Sequence, residues 1–235
     1  MVSVDTVYQR VLAIANKEQR GYITPQEFNL LANQAQMVIF DQYFYDIKQL
    51  ETTPGNETEY SDTMKTLNEK ISVFKKYDGS LVYSGGHFKY PSDMYKLGTL
   101  YYVKTDLHVD GVEIQEINYD ELLDYYNSPL TKPNKSRPLY IRVEEDIRII
   151  SAASIVSGIT ASYIRKPVDA NWGYIITLGE AMYNASASQD FELHRSEESV
   201  LVYKILELAG IVLNKPALAQ IVANEEVEIK TNQKA

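Results

Sequence analysis

Apolar residues recur at helical spacing through the first third of the chain. Val4, Val7, Tyr8, Val11, Leu12, Ile14 and Ala15 mark one helix over 3–19, at the intervals that put side chains on a single face. Phe28, Leu31, Ala35, Val38, Ile39, Gln42 and Tyr43 mark a second amphipathic helix that reaches 48. Met64, Leu67, Ile71 and Phe74 place a third over 61–77, after a polar loop at 51–59 that holds Pro54 and Gly55. Between the first two, Gly21 can take the left-handed conformation that closes a helix. Thr24, Pro25 and Glu27 supply the N-cap, first-position proline and capping-box acid that open the next.

From residue 80 the pattern changes to strand. Asp78-Gly79 reads as a turn, and 81–83 and 87–90 flank Ser84-Gly85-Gly86 as a hairpin. Pro91-Ser92-Asp93 starts a short helical turn. The stretches 97–103 and 112–117 form a further pair around His108-Val109-Asp110-Gly111, and 118–120 cap a short helix over 121–126. Pro129, Pro133 and Pro138 make 128–138 an extended loop. Strands at 139–143 and 147–150 enclose Glu144-Glu145-Asp146, and 158–165 alternates as a strand should. Ser196 then caps a helix with Val200, Leu201, Ile205, Leu208 and Ala209 on its buried stripe and Gly210 as its C-cap, and Lys215-Pro216 opens another through 222. The expected fold class is α+β: a helical hairpin or bundle from the N- and C-terminal helices plus a central antiparallel β-rich section. The expected organisation is one domain, helical over 1–77, mainly β over 78–175, helical over 176–223, with a polar tail at 224–235.

Composition narrows the function. The formal net charge is −9 over 235 residues, which disfavours a surface whose task is to grip phosphates. There is no cysteine, so a disulfide framework, thiolate metal site and cysteine nucleophile are excluded. The first ten residues do not read as a signal peptide, and no stretch approaches the roughly 18 consecutive apolar residues of a membrane helix. Nineteen tyrosines stand against six phenylalanines and one tryptophan, a bias that suits either half-buried strands or protein interfaces.

Candidate chemistry is sparse. Residues 16–28 imitate a calcium loop, with Gly21 sixth and Glu27 twelfth. The first, third and fifth places, which should carry oxygen ligands, hold Asn16, Glu18 and Arg20. A guanidinium repels a cation from inside its own ligand shell, so a calcium-dependent module is the weaker alternative to a capped joint. His87, His108 and His194 follow no metal-ligand spacing, and Ser84-Gly85-Gly86-His87 lacks the lysine of a phosphate loop. No Gly-x-Ser-x-Gly elbow occurs. Glu144-Glu145-Asp146 and Glu197-Glu198 leave a carboxylate-based hydrolase of cell-wall or capsule glycans as the enzymatic alternative. No catalytic, cofactor-binding or metal residue is assigned. The candidate interface residues are Arg165 and Lys166 at a strand end, Trp172 and Tyr174 just beyond, and Lys132, Lys135 and Arg137 in the proline-rich loop.

Three pieces together resemble a known family: Ala15 to Phe28 (ANKEQRGYITPQEF) with its continuation ANQAQ to Gln36, YIRKP ending at Pro167 with Trp172-Gly173, and DFEL from Asp190 leading into ILELAG at Gly210. The set is similar to the neck ring proteins, head-to-tail connectors of the virion in crAss-like and related tailed bacteriophages. The resemblance spans most of the chain and keeps the order of the pieces. It implies a connector-type, non-enzymatic structural protein without cofactors, similar to the adaptors of short-tailed phages. Its partners would be itself in a dodecameric ring, the portal protein, and other neck and tail proteins. Genomic DNA would pass without specific binding, and no membrane would be involved. The expected location is the virion, after assembly in the host cytoplasm.

Overall fold

The computed structural model describes residues 1–17, 23–52, 58–103, 111–144, 146–152 and 154–212. The protein is a mixed α+β chain whose single expected domain divides into two compact units, Met1–Val73 with Pro167–Ala235, and Phe74–Lys166. The second unit is therefore inserted into the first.

The helical unit is built from α1 (Val4–Lys17), α2 (Pro25–Thr52), α3 (Thr58–Ser72) and α5 (Glu198–Val212). Val4, Val7, Tyr8 and Val11 of α1, Phe28, Ala32, Ala35 and Phe40 of α2, and Val200, Leu201, Ile205 and Leu206 of α5 are all buried. The apolar stripes thus meet where α5 packs on α1 and α2. The capping box ahead of α2 forms as its residue types dictate. Thr24 N and Oγ1 donate to Glu27 Oε2 at 3.0 and 2.8 Å, and Glu27 N donates back to Thr24 Oγ1 at 3.3 Å. Those bonds hold the Glu27 carboxyl below its ordinary range. At the other entry, Val4 N donates to Asp190 Oδ1 at 2.9 Å, an acid placed at the positive end of α1.

Several expectations need correction here. The third helix stops at Ser72, because Lys75 onward pairs as a strand. Ser196 does not cap the last helix. It lies inside a 3-10 turn, Arg195–Glu197, capped by His194, whose side chain accepts from Ser196 N. Gly210 sits within α5 rather than ending it. The stretch expected to be helical from 176 instead opens with a hairpin, β9 (Tyr174–Thr177) and β10 (Glu180–Tyr183). Residues 18–22 with Arg20 and Gly21, most of the 51–59 loop, His108, the helix expected at Lys215-Pro216 and the tail at 224–235 lie outside the described residues.

The β unit holds β1 (Lys75–Ser80), β2 (Val82–Ser84), β3 (His87–Lys89), β4 (Met94–Val103), β5 (Gly111–Glu116), α4 (Leu122–Asn127), β6 (Leu139–Val143), β7 (Asp146–Ile150) and β8 (Ile159–Arg165). Its sheet runs β1-β8-β4-β5-β6-β7-β3-β2. Among the described strands only β5 and β6 are parallel, and α4 with the 128–138 loop makes the crossover such a pair requires. β1 and β2 are opposite edges, yet Leu81 alone separates them, so the sheet curls until its two edges share that residue. Leu81, Phe88, Leu100, Ile114, Ile147 and Ile159 fill its core. The β2–β3 turn has Gly85 at φ 64° and Gly86 at φ 90°, the two positive values of the hairpin turn that matches strand twist. Asp78-Gly79 is not a turn; it lies in β1 where the register with β8 shifts. Asp146 belongs to β7 and pairs with Val143.

Asp93 ties the strands together. Its carboxylate accepts from Lys76 Nζ at 2.6 Å and Tyr163 Oη at 3.1 Å. The Lys76 bond, and after the opposing effect of burial the Tyr163 bond, hold the carboxyl below its ordinary 3.8. The same bond to Asp93 holds the Lys76 ammonium above its ordinary 10.5. A lowered carboxyl stabilises the fold above its unfolded pKa and loses that effect as pH falls through the folded value. A raised ammonium stabilises below its unfolded pKa and loses the effect as pH rises through the folded value. The pair's contribution should therefore be flat between about pH 4 and about pH 10 and decay outside that window. Melting curves taken from neutral to acid pH should show the acid loss, and Asp93→Asn should shrink it.

Candidate functional site

The seven candidate residues are divided between the two units. Arg165 and Lys166 belong to the β unit, Trp172 and Tyr174 to the helical unit. The Arg165 guanidinium lies over the Phe74 ring at 5.9 Å, and its Nη1 donates to Lys166 O at 3.2 Å. Lys166 is exposed, and its backbone N donates to Asp93 O at 2.8 Å.

Trp172 is a core residue and not a surface anchor, being only 2% exposed. Its Nε1 donates to Asp5 Oδ1 at 3.0 Å. Its ring lies 4.3 Å from Tyr8 and stacks on Tyr174 at 6.0 Å. What holds it there is a row of amides on α2. Asn29, Asn33 and Gln36 fall at i, i+4 and i+7, among the small residues Ala32 and Ala35 that let another chain segment approach. Asn33 Oδ1 accepts from Ala170 N at 2.8 Å while its Nδ2 donates to Ala170 O at 3.0 Å. Asn29 Oδ1 accepts from Trp172 N at 2.8 Å, and Gln36 Nε2 donates to Val168 O at 2.8 Å. On the other side Asn171 exchanges backbone bonds with Gln189 at 2.8 and 3.0 Å. The backbone of Val168, Ala170 and Trp172 is thus bonded by side chains where a neighbouring strand would otherwise be needed.

Removing such a partner strands buried groups. Asn33→Ala leaves the N–H and C=O of Ala170 (2% exposed) without their amide, and should cost about 2–4 kcal/mol. Asn33→Asp should recover only part, since a carboxylate can accept from the N–H but has no donor for the C=O. Urea denaturation of the three proteins checks this.

Beyond Trp172 the chain turns outward into the β9–β10 hairpin. Its base is anchored by Tyr174 and Tyr183 against the indole, the latter at 5.8 Å, and by Gln26 Nε2 donating to Tyr174 Oη at 3.3 Å. Its tip is bare: Ile176 is 69% and Leu178 102% exposed, with Ile175 and Met182 more than half exposed. Leu178 also takes φ 55°, a left-handed backbone that costs a branched side chain about 1–2 kcal/mol. The sequence did carry a signal for this hairpin, a β-branched run Ile175-Ile176-Thr177 followed by Leu178-Gly179.

In the β unit, Lys132, Lys135 and Arg137 are all exposed. Asn134 Oδ1 accepts from Ser136 N and Arg137 N, each at 2.8 Å, so the 128–138 loop is folded into a tight turn at this point rather than fully extended. On β5 and β6, Glu116 accepts from Tyr140 Oη at 2.7 Å and from Arg142 Nε at 2.7 Å. Burial and the Glu116 carboxylate push the Tyr140 phenol up to about 12, which makes this trio a clamp across the parallel pair. Of the carboxylates of the hydrolase alternative, Glu197 is buried against Lys70 and Glu198 pairs with Arg10 at 2.8 Å, while Glu145 lies outside the described residues. Among the described residues no three His, Asp or Glu side chains gather as a metal site, and no helix is long and apolar enough to cross a membrane. No protein-family model matches the chain, and no curated protein matches it at a significant level.

Proposed function

We propose that this chain is a virion structural protein, a ring subunit of a tailed-phage neck that joins the portal to the tail and leaves a passage for DNA. The observation that carries the reading is the β9–β10 hairpin. A rigid aromatic base presents a fully exposed leucine in a strained backbone. Strain of this kind persists where the site has a task other than stability, and an exposed apolar tip on a soluble chain marks an interaction surface. The resemblance to neck ring proteins names the assembly.

In this reading copies of the chain meet head to tail, one face against a different face, as a closed ring requires. The helices from both ends of the sequence act as the helical hairpin or bundle that faces the portal. The net charge of −9 lets DNA pass without being gripped. The protein works in the virion, after assembly in the host cytoplasm, and performs no catalysis.

The test is mass photometry and cryo-EM of the purified chain alone and with its portal protein. Wild type should form a ring, alone or on the portal. Leu178→Asp with Ile176→Asp should abolish that assembly while leaving the circular dichroism spectrum unchanged. A chain that stays monomeric and joins no portal or tail component would sink the reading.

A further inference from the structure

A second exposed apolar surface lies on the β unit, with charges of both signs beside it. Leu122 and Tyr125 of α4 pack inward against Ile117, Leu139, Ile141 and Ile150. The same helical turn points Tyr119, Leu123 and Tyr126 outward, 69%, 72% and 42% exposed, at the i, i+4 and i+7 spacing of one stripe. Leu130, 88% exposed, extends it. The following loop folds back on this helix: Thr131 Oγ1 donates to Tyr125 O at 3.4 Å, Lys132 N to Ser128 O at 3.1 Å, and Arg137 Nη1 to Leu130 O at 3.5 Å. In chain order the exposed acids Asp120, Glu121 and Asp124 accompany the helical part of the stripe, and the exposed cations Lys132, Lys135 and Arg137 follow it beyond Leu130.

One segment of this chain carries the complementary order. Residues 225–230 read Glu-Glu-Val-Glu-Ile-Lys, with a second lysine at 234. Three carboxylates come first, Val227 and Ile229 are interleaved or follow directly, and the lysines come last. Laid along α4, the glutamates would face the three cations of the loop, the two β-branched side chains would cover the stripe, and the lysines would face Asp120, Glu121 and Asp124. The charges match in this direction, with glutamates toward the loop and lysines toward the helix, and clash in the other, which favours one orientation. The chain between Val212, where α5 ends, and Glu225 can span up to about 45 Å, enough to reach a neighbouring subunit.

We infer that residues 225–234 of one copy dock on the α4 stripe and basic loop of a second copy, as a strap between subunits. This rests on the proposed assembly only in requiring that second copy.

The absence of cysteine makes the test clean. Full chains carrying Leu123→Cys and Ile229→Cys are prepared separately, mixed and oxidised mildly. A mixed disulfide in yield well above that of a control pairing Val82→Cys, at an exposed position outside both proposed surfaces, with Ile229→Cys is expected. Yield no higher than the control overturns the inference. So does a Leu123→Cys/Ile229→Cys double variant that closes within single chains, since the strap would then belong to its own chain. Changing Lys132, Lys135 and Arg137 to Glu should lower the mixed yield about tenfold, and Glu225, Glu226 and Glu228 to Lys on the other partner should restore it. If the charge variants fail to fold, fluorescence anisotropy of a synthetic 222–235 peptide on the full-length wild-type chain replaces them. Binding that weakens with salt supports the strap, and no binding overturns it. A mixed disulfide in a chain that joins no portal leaves the strap standing and removes the neck assignment. A ring without the disulfide does the reverse.

Discussion

Replacing Lys70 by methionine should destabilise the helical unit by about 3–5 kcal/mol. Lys70 and Glu197 form an ion pair whose side chains are only 12% and 5% exposed. The same ammonium lies 5.8 Å from the centre of the Tyr43 ring, and burial first, then the charge of Glu197, push the Tyr43 phenol far above its ordinary range. Methionine matches the length and apolar stem of lysine, so it removes the charge while keeping most of the packing. Glu197 is then left as a buried carboxylate with little beyond the 3.3 Å bond from Ser196 Oγ to offset its desolvation. The cost comes from stranding one charge rather than from losing an attraction, and this distinction can be measured. Lys70→Met with Glu197→Leu should recover most of the loss, because no unpaired charge remains. Urea denaturation of both single variants and the double one gives the coupling directly. A double variant as unstable as the sum of the singles would show that packing dominates.

Trp172→Ala should cost a similar amount, about 3–5 kcal/mol. The indole is buried, touches Tyr8, Tyr174 and Tyr183, and donates to Asp5. Truncation opens a cavity, and it also frees the Asp5 carboxylate and removes the platform under the hairpin. Trp172→Phe should cost less, since it keeps most of the ring area and loses the Nε1 bond. The separation to look for is between stability and assembly. Trp172→Ala should lower both the melting temperature and ring formation, whereas Leu178→Asp should lower assembly alone.

The parts of this fold legible in the sequence were those fixed by neighbours in the chain. α1 and α2 follow from apolar spacing, and the Thr24–Glu27 box follows from residue types three apart. The β2–β3 hairpin follows from two glycines at the two turn positions that need positive φ. Phe74 misleads because it continues the spacing of Leu67 and Ile71. The strand that starts after it is decided by β8, more than eighty residues away, which no local pattern reports. The β9–β10 hairpin was missed because Glu180, Ala181 and Met182 are good helix formers and outweigh the Leu178-Gly179 turn. For the candidate site, the cations of the 128–138 loop were visible as charges. The stripe beside them was not, because choosing which face of a six-residue helix is covered requires the sheet beneath it. Trp172 could not be placed either: a lone tryptophan reads the same on a surface and in a core. The amides at 29, 33 and 36 carry a periodicity, but their meaning depends on a segment that arrives well over a hundred residues later.

The nesting of the β unit within the helical one sets a timetable for synthesis. The N-terminal helices emerge first, yet the α5 face they pack against ends at Val212. β1 emerges next and waits for β8, roughly 4–17 s at ordinary translation rates of about 5–20 residues per second. The unit that starts second therefore closes first, and it does so while the apolar faces of α1 and α2 still lack α5. During that interval α2 has α3 to pack against, while α1 lacks α5, its main partner. That makes the apolar face of α1, rather than the finished core, the surface through which the nascent chain is most open to aggregation.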